Sequence, residues 1–356
     1  MFFKNGEKDT MPDLYILGAG CSRNYSQSMH RIQGLRSPLN RDFFKMARLV
    51  IENTGMKSDP SFMEEIDVLI KTIAPLYGGS ENDLRFFDNP YLNLEDVMTL
   101  LDIKFRLFSP LAATKFGQKE SRQLRALKDL LARTLDYALM GPPCKKHHAL
   151  AKRMKPGDVV LSFNYDILID NALFDLEKTT DSGYRMNFFK VNQDEEWVRP
   201  SEKPSKVTLL KLHGSLNWVR CGFCGALALY RHKKQALYGA QVFKCPRCQS
   251  GETYAERMMI PPIQSKDYGD RDIAFLWVQA DRMMRDFSRI ICIGYSFSPL
   301  DFDMTSLMRM YRARQTEMPE VDFVSRDSKA EKRLKLLVGV EEVNRFNDLS
   351  SYLKSM

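Results

Sequence analysis

Four cysteines have the spacing of a metal site. Two residues separate Cys221 from Cys224, two separate Cys245 from Cys248, and twenty lie between the pairs. Two such pairs, brought together by a hairpin, are typical of a zinc ribbon. Because four thiolates fill a tetrahedral shell and leave no open position, we predict a structural zinc rather than a catalytic one. We expect this module to span residues 219–257.

A histidine precedes the module at the end of an apolar run. Residues 209–212 lead into His213, Gly214 and Ser215. An apolar run that stops at a polar turn is typical of a buried strand that brings side chains to a sheet edge. His213 could act as a general base, because an imidazole with a pKa of ~6.5 is largely neutral at cellular pH. A lone histidine packed in the core is the alternative.

Three further apolar runs end at polar or glycine-containing turns. These turns are residues 18–22, 162–166 and 294–296. Glycines at positions 18 and 20 allow a tight turn and the close approach of a pyrophosphate group. Because the carboxyl ends of parallel strands share one edge of a sheet, a cofactor laid across that edge would meet all four turns. We therefore predict a nucleotide site there.

Two polar residues of the turn at 162–166 could take part in the chemistry. Asn164 carries a hydrogen-bond donor and an acceptor, so it could hold a ribose hydroxyl group or position a water molecule. Asp166 could support the turn or the ribose, or it could cap the following helix. The residues alone leave both roles of Asp166 open.

Periodic patterns predict the elements that hold these turns. Apolar residues at helical spacing run from residue 41 to about 140 without alternating strands. Elsewhere, short apolar runs alternate with helical patterns, which predicts an α/β fold: a doubly wound, parallel, Rossmann-like sheet with a helical insertion and a small zinc ribbon. We assign residues 11–40 and 141–356 to the sheet domain and 41–140 to the insertion. We expect residues 177–205 to be a loose polar region.

Composition limits the class of protein. The 356 residues are 44% hydrophobic and 28% charged, and without a run of ~18 apolar residues we expect no membrane span. Residues 1–10 lack the apolar segment of a signal peptide, and seven cysteines with two CxxC pairs fit a reducing compartment, so we expect a cytoplasmic location. The net charge of +8 is dispersed, which favours a solvated surface over a nucleic-acid interface.

The order of these motifs resembles that of the sirtuin family. The shared stretches are Gly18–Gly20, Ser162–Asp166, His213–Ser215 with the cysteine pairs after it, and Gly294–Ser296. They occur in matching order over roughly residues 13–325. The chain is most similar to the sirtuin-like NADases of bacterial anti-phage defence. The resemblance implies that the helical insertion forms part of a smaller domain beside the cofactor.

The resemblance also implies roles for individual residues. Asn164 and His213 would be the catalytic pair, supported by Asp166. NAD would be bound by residues of the turns, namely Gly18, Ala19, Gly20, Cys21, Ser22, Arg23, Gly214, Ser215, Gly294 and Ser296. The implied reaction breaks the nicotinamide–ribose bond of NAD, with a transition state that spreads positive charge over the ribose. Water as the acceptor makes the protein an NAD hydrolase, and an acyl-lysine makes it a protein deacylase.

Two departures from the family pattern favour hydrolysis. Protein deacylases carry a Phe-Gly-Glu stretch after the zinc module that pairs with the substrate peptide, whereas this chain has Ile260, Pro261 and Pro262. Prolines lack the N–H groups that strand addition requires. Arg23-Asn24-Tyr25 also replaces the stretch that follows the glycine turn in deacylases. A non-catalytic module that binds NAD or nucleic acid is the second alternative.

Partners are implied by the resemblance alone. An uncontrolled NADase would harm its own cell, so we expect a homo-oligomer or a separately encoded partner such as a HerA-like translocase or a short Argonaute. Basic residues around the cysteines leave direct nucleic-acid contact open; they are Arg220, Arg231, Lys233, Lys234 and Arg247. We expect no membrane partner.

Overall fold

The parallel sheet that the sequence predicts is present in the computed structural model of the chain. The structure describes residues 11–23, 25, 28–79, 83–108, 121–191, 196–199, 203–230, 242–249, 253–260 and 271–355. These residues form two compact units. One lies within residues 11–22, 143–260 and 271–355, and the other within Arg23–Pro142.

The strands are numbered along the described residues. They are β1 (Asp13–Leu17), β2 (Val159–Ser162), β3 (Phe188–Val191), β4 (Trp197–Val198), β5 (Thr208–Lys211), β6 (Gly214–Cys221), β7 (Leu227–Tyr230), β8 (Val242–Phe243), β9 (Thr253–Met259), β10 (Arg289–Ile293), β11 (Glu320–Val324) and β12 (Asn344–Phe346).

The helices are numbered in the same way. They are α1 (Ala19–Ser22), α2 (Phe43–Asn53), α3 (Pro60–Ile73), α4 (Leu94–Phe108), α5 (Arg122–Leu139), α6 (Lys145–Arg153), α7 (Leu168–Asp175), α8 (Arg271–Met283), α9 (Phe302–Arg314), α10 (Ser328–Val338) and α11 (Leu349–Lys354).

The first sheet has the doubly wound order. Its strands lie in the order β12-β11-β10-β1-β2-β5, and each neighbouring pair is parallel. The chain therefore builds outward from β1 in one direction and, after β5, returns to β10 on the other side of β1. The predicted fold class is confirmed. The point between β1 and β10, where the order reverses, is where ligands bind in open α/β sheets.

A second, mixed sheet carries the cysteines. Its order is β4-β3-β7-β6-β9-β8, with β6 antiparallel to both β7 and β9. The prediction of a loose polar region at 177–205 is wrong where it includes β3 and β4, because β3 pairs in parallel with β7 and β4 pairs with β3. Such short strands are stabilised by partners distant in sequence, which their own residues do not reveal.

The second unit is helical over its described residues, as the apolar spacing predicts. Its longest helix is α5, which contacts α2, α3 and α4. Buried residues on α5 recur at three- and four-residue intervals, for example Leu124, Leu127 and Leu131. This stripe is what an amphipathic helix buries against its neighbours.

Candidate functional site

The four polar turns meet at one edge of the parallel sheet. Leu17, the last residue of β1, pairs with Ile293 of β10 and with Ser162 of β2. Ser162 in turn pairs with Lys211, the last residue of β5. All four strands therefore end at the same level, and the turn residues that follow them share one edge.

The two glycine turns pack directly against each other at the point where the strand order reverses. Gly18 N donates to Ile293 O at 3.0 Å, and Gly20 N donates to Gly294 O at 3.0 Å. Gly294 has a φ of +62°, and a Cβ atom built on it would lie 2.4 Å from Cys21 N. A larger residue at 294 would therefore clash with the first turn and be strained. Close packing of the turns accounts for these glycines without reference to a ligand.

A buried polar cluster links the first turn to the second. Ser22 Oγ donates to Asp166 Oδ2 at 2.8 Å and accepts from Asn164 Nδ2 at 3.3 Å. Ser22, predicted to bind the cofactor, thus joins the predicted catalytic residues. Asp166 Oδ1 also accepts from Leu168 N at 3.1 Å. Asp166 therefore supports the turn and accepts from the first N–H of α7, although the N-cap position itself belongs to Ile167.

The buried side-chain oxygen of Asn164 can still accept a hydrogen bond. The side chain is 7% exposed, and its Oδ1 has no hydrogen-bond partner among the described residues. A buried acceptor without a partner is unfavourable unless a ligand or a water molecule supplies a donor. Asn164 is thus suited to accept a hydrogen bond from a hydroxyl group bound at this edge.

A buried ion pair fixes the turn that carries these residues. Lys211 is fully buried, and its Nζ donates to Asp166 O and, at 3.1 Å, to Asp170 Oδ2. Tyr184 Oη donates to Asp170 Oδ1 at 2.6 Å. Burial raises the pKa of Asp170, while the positive charge of Lys211 opposes that shift. Through the bond to Asp166 O, Lys211 anchors the 162–166 turn.

His213 lies at the junction of the two sheets. The sequence predicted a strand that ends there, but β6 begins at the next residue and continues into the second sheet. The backbone of His213 is held by Ile260, whose N–H donates to His213 O at 2.8 Å. The residue is buried, and its ring packs edge-on against Phe163 with ring centroids 5.1 Å apart.

Asp301 is a site residue that the sequence analysis missed. Its Oδ2 lies 3.2 Å from His213 Nε2, and both side chains are almost completely buried. Tyr295 Oη also donates to Asp301 Oδ2. Asp301 directly precedes α9, so in the sequence it has the pattern of an ordinary helix cap. Nothing in that pattern indicates a contact with His213.

Packing explains the two residues after His213. Gly214 has a φ of +77°, and a Cβ atom there would lie 2.0 Å from Met258 O on β9. Ser215 is fully buried, and its Oγ donates to Tyr165 O at 3.4 Å. The prediction that Gly214 and Ser215 bind the cofactor stays a prediction.

The other predicted cofactor residues differ in exposure and contacts. Ala19 and Ser296 are exposed at the sheet edge. Arg23, assigned to the helical unit, donates to Ser37 O at 2.5 Å and forms an ion pair with Asp42. An engaged guanidinium group has fewer N–H groups left for a phosphate. Contact between NAD and these three residues also stays a prediction.

Cys21 takes part in a short sulfur–imidazole chain. Its Sγ lies 3.4 Å from His147 Nε2, and His147 Nδ1 lies 3.0 Å from Cys144 Sγ. All three side chains are buried, and burial raises the pKa of the Cys21 thiol and lowers that of His147 to about 4. Neutral thiols are poor nucleophiles, so these sulfur–imidazole contacts position the first turn and do not react.

The paired cysteines converge on one point, as their spacing predicts. The ligand atoms of Cys221, Cys224, Cys245 and Cys248 all lie within 4.8 Å of one another. Two sulfur–sulfur distances are 3.9 Å and 3.6 Å, close to the ~3.8 Å between ligands of a tetrahedral zinc with Zn–S bonds of ~2.3 Å. The donor set therefore fits structural zinc. Burial raises the pKa of the Cys224 thiol to about 12, so metal binding must release thiol protons.

Some sequence predictions fall outside the described residues. They concern Arg231, Lys233 and Lys234 beside the cysteines, Asn24 after the first glycine turn, and Pro261 with Pro262. Within the part of the chain that the structure describes, no helix combines the length and apolar character that crossing a membrane requires.

Comparisons with known proteins give structural similarity at low sequence identity. No protein-family model matches the chain, and no curated protein matches it. A mutant Sir2 homologue in complex with ADP-ribose is 15% identical, with a TM-score of 0.39 over 66% of this chain and 75% of that chain. Sir2Tm bound to a propionylated peptide is 13% identical, with a TM-score of 0.36 over 72% and 81%. A Sir2 mutant with a p53 peptide and NAD is 13% identical, with a TM-score of 0.35 over 65% and 79%.

Proposed function

We propose that the protein is an NAD hydrolase that cleaves the nicotinamide–ribose bond and releases nicotinamide and ADP-ribose. The observation that carries this proposal is the buried Oδ1 of Asn164, which has no partner among the described residues and lies at the edge that His213 also reaches. The sirtuin-like order of the motifs supports NAD as the substrate.

The strand order supports a dinucleotide rather than a smaller ligand. The glycine turns after β1 and β10 mark the point where the strand order reverses, and Asn164 follows the next strand, β2. A ligand that starts at the glycine turns and extends over β2 to His213 after β5 crosses three strand spacings of ~4.8 Å each. A molecule with two nucleoside halves has the length for this path.

The proposed chemistry needs an ordered ribose and a base. The electron pair of the C1′–N bond leaves with nicotinamide, and the ribose becomes positively charged. Asn164 Oδ1 accepts a hydrogen bond from a ribose hydroxyl group or from the attacking water. The oxygen of that water bonds to C1′, and His213 takes the proton that the water loses. Asp166 and Ser22 hold Asn164 in place.

The test is NAD turnover by the purified chain, with products separated by chromatography and with an acetylated peptide present or absent. We expect peptide-independent release of ADP-ribose and nicotinamide. Replacing His213 with Ala should lower kcat by ~10²–10⁴-fold, the usual contribution of a positioned base. Asn164→Ala should have a comparable effect, because the ribose loses its buried acceptor.

His148→Ala is the matched control for the histidine. His148 lies on α6, outside the polar edge, and its Nε2 is 2.9 Å from Asp175 Oδ2. Its removal should therefore leave turnover unchanged. Turnover that requires the peptide and yields 2′-O-acetyl-ADP-ribose would make the protein a deacylase. Binding that weakens steeply with salt, with no turnover under any condition, would favour a non-catalytic module.

We also propose the biological setting that the resemblance implies: NAD depletion during anti-phage defence, by a cytoplasmic homo-oligomer or with a separately encoded partner such as a HerA-like translocase or a short Argonaute. Cells that express the chain with its neighbouring genes should lose NAD after phage infection. Cells with His213→Ala should keep their NAD and lose protection. Unchanged NAD in the infected wild-type cells would contradict this setting without bearing on the chemistry.

A further inference from the structure

We infer that Asp301 is the positioning residue for His213: it orients the imidazole and stabilises its protonated form. This inference deepens the proposed function, since it assigns the partner of the proposed base. It rests on a geometry that the hydrolase assay does not test, namely the contact between Asp301 Oδ2 and His213 Nε2 at 3.2 Å.

Burial makes this contact significant. The side chains of His213 and Asp301 are 6% and 2% exposed. An isolated charge in such surroundings is strongly unfavourable, so a buried carboxylate requires a cation or hydrogen-bond donors. Tyr295 Oη donates a hydrogen bond to Oδ2, and His213 Nε2 lies within ion-pair distance of the same oxygen, though not in hydrogen-bond geometry.

The carboxylate of Asp301 does not cap the helix that it precedes. Asp301 occupies the N-cap position of α9, but its side chain makes no capping hydrogen bond. At the N-cap of α10, in contrast, Asp327 accepts from Lys329 N and Ala330 N. A cap contributes about 1 kcal/mol to helix stability. In this fold, Asp301 forgoes that contribution and contacts His213.

The segment before α9 holds Asp301 rigidly. Tyr295 stacks on Phe163 with ring centroids 4.3 Å apart, and Phe297 packs edge-on against Tyr295 at 4.7 Å. Phe297 has a φ of 50°, which is unfavourable for a bulky residue and must be stabilised by its surroundings. Arg333 donates to Phe297 O at 3.1 Å. These contacts restrain the segment between β10 and α9, which carries the Asp301 carboxylate.

The contact sets how His213 acts. A carboxylate beside Nε2 favours a proton on that nitrogen. When His213 takes the proton of the attacking water, the imidazolium carries a positive charge 3.2 Å from Asp301. Asp301 stabilises this charge and does not itself take up a proton. The rings of Phe163 and Tyr165 also pack on His213.

The direct test is the pKa of His213 itself, measured by NMR titration of protein with ¹³C-labelled histidine, with the resonance assigned from His213→Ala. In Asp301→Asn, we expect the pKa of His213 to fall by about 1–3 units, the usual effect of losing an opposite charge at this distance. Asp348→Asn, which changes a carboxylate that caps α11, is the matched control and should leave His213 unchanged. An unchanged His213 in Asp301→Asn would overturn the inference.

A second variant predicts a shift in the opposite direction. Tyr295→Phe removes the hydroxyl group that donates to Asp301, so the carboxylate becomes a stronger acceptor and the pKa of His213 should rise. This variant keeps the ring stack and the carboxylate, so it tests the same contacts between Tyr295, Asp301 and His213 if Asp301→Asn does not fold. A fall in the pKa of His213 in Tyr295→Phe would contradict the proposed arrangement.

Turnover separates this inference from the proposed function. If the protein hydrolyses NAD, Asp301→Asn should lower kcat by at least ~10-fold with KM unchanged, within the ~10²–10⁴-fold contribution of the base. If wild type turns over no NAD but Asp301→Asn still lowers the pKa of His213, the hydrolase proposal fails and the positioning contact stands. Equal kcat values in active wild type and Asp301→Asn would overturn the positioning role.

Discussion

The cysteine cluster and the polar edge of the parallel sheet are assembled in different ways. The four cysteines come from residues 221–248 and converge through local turns and neighbouring strands. At the polar edge, Ser22 and Asn164 contact each other although they are 142 positions apart in the sequence. A ligand set made by local geometry can be identified from spacing alone. One made by strand order cannot, because each member depends on where its strand lies in the sheet.

The two regions also use cysteine differently. At the cluster, four sulfur atoms surround one point and fit a metal ion. At the polar edge, Cys21 and Cys144 contact opposite nitrogens of His147, so the imidazole stands between the thiols. The same residue type thus forms a cluster that could hold a metal in one region and is a packing and hydrogen-bonding group in the other.

The largest expected effect is at the cluster. Cys221→Ser removes one of four ligands, and structural zinc contributes ~10–16 kcal/mol to the folding of small zinc peptides. We expect loss of bound zinc together with loss of soluble protein or of the near-UV circular dichroism signal. Cys292→Ala, at a buried cysteine of β10, should keep the zinc. A soluble, fully folded Cys221→Ser protein without zinc would show that the cluster does not stabilise the second sheet.

Substitutions at two glycines, one in each region, test how tightly the two regions are packed. Gly294 and Gly225 have φ values of +62° and +73°, but a Cβ atom at Gly294 would overlap the first glycine turn, while at Gly225 no atom lies within 4 Å. Gly294→Ala should therefore lower the free energy of unfolding by about 4 kcal/mol, and Gly225→Ala by about 1 kcal/mol. Urea unfolding measures both. Equal losses would mean that backbone strain alone, rather than contact between the turns, restricts position 294.

Acid should distinguish the sulfur–imidazole chain from the zinc cluster. Burial lowers the pKa of His147 to about 4, while an unfolded histidine has a pKa of ~6.5. Between these values only the unfolded chain binds the proton, so the free energy of unfolding falls as pH falls through this window, by up to about 3 kcal/mol. His147→Gln should flatten this dependence, measured by urea unfolding at pH values where the zinc content is unchanged.

His148→Gln is the control for the acid experiment. His148 is the next residue on α6 and lies at the surface beside Asp175. This variant should keep the acid dependence of the wild type. If His147→Gln also keeps it, another group is responsible for the loss of stability in acid.

Much of the fold follows from local patterns. The apolar runs that became β1, β2, β5 and β10 are buried strands, and runs of this kind require both faces of a sheet to be covered. Their abrupt ends at polar turns, together with the alternation with helices, indicate a parallel sheet. The cysteine spacing likewise indicates the cluster, because turn geometry sets the distance between its ligands.

Other features depend on residues that are far apart in sequence. The strands β3 and β4 are short apolar runs inside a polar region, and they are ordered by pairing: β3 with β7, and β4 with β3. Asp301 has the pattern of a helix cap, and only the path of the chain from β10 into α9 brings it to His213. Ser22 was predicted to contact the cofactor, and the structure shows its hydroxyl group bonded to Asp166.

By itself, the sequence determined the four central strands of the parallel sheet, β1, β2, β5 and β10, and which four cysteines can share a metal, because these properties depend on residues close together in the chain. The tertiary structure decided which side chains at the sheet edge contact each other. Strand order places Asn164 beside Ser22 and His213 beside Asp301. Such contacts depend on burial and pairing across the whole sheet, which no local pattern encodes.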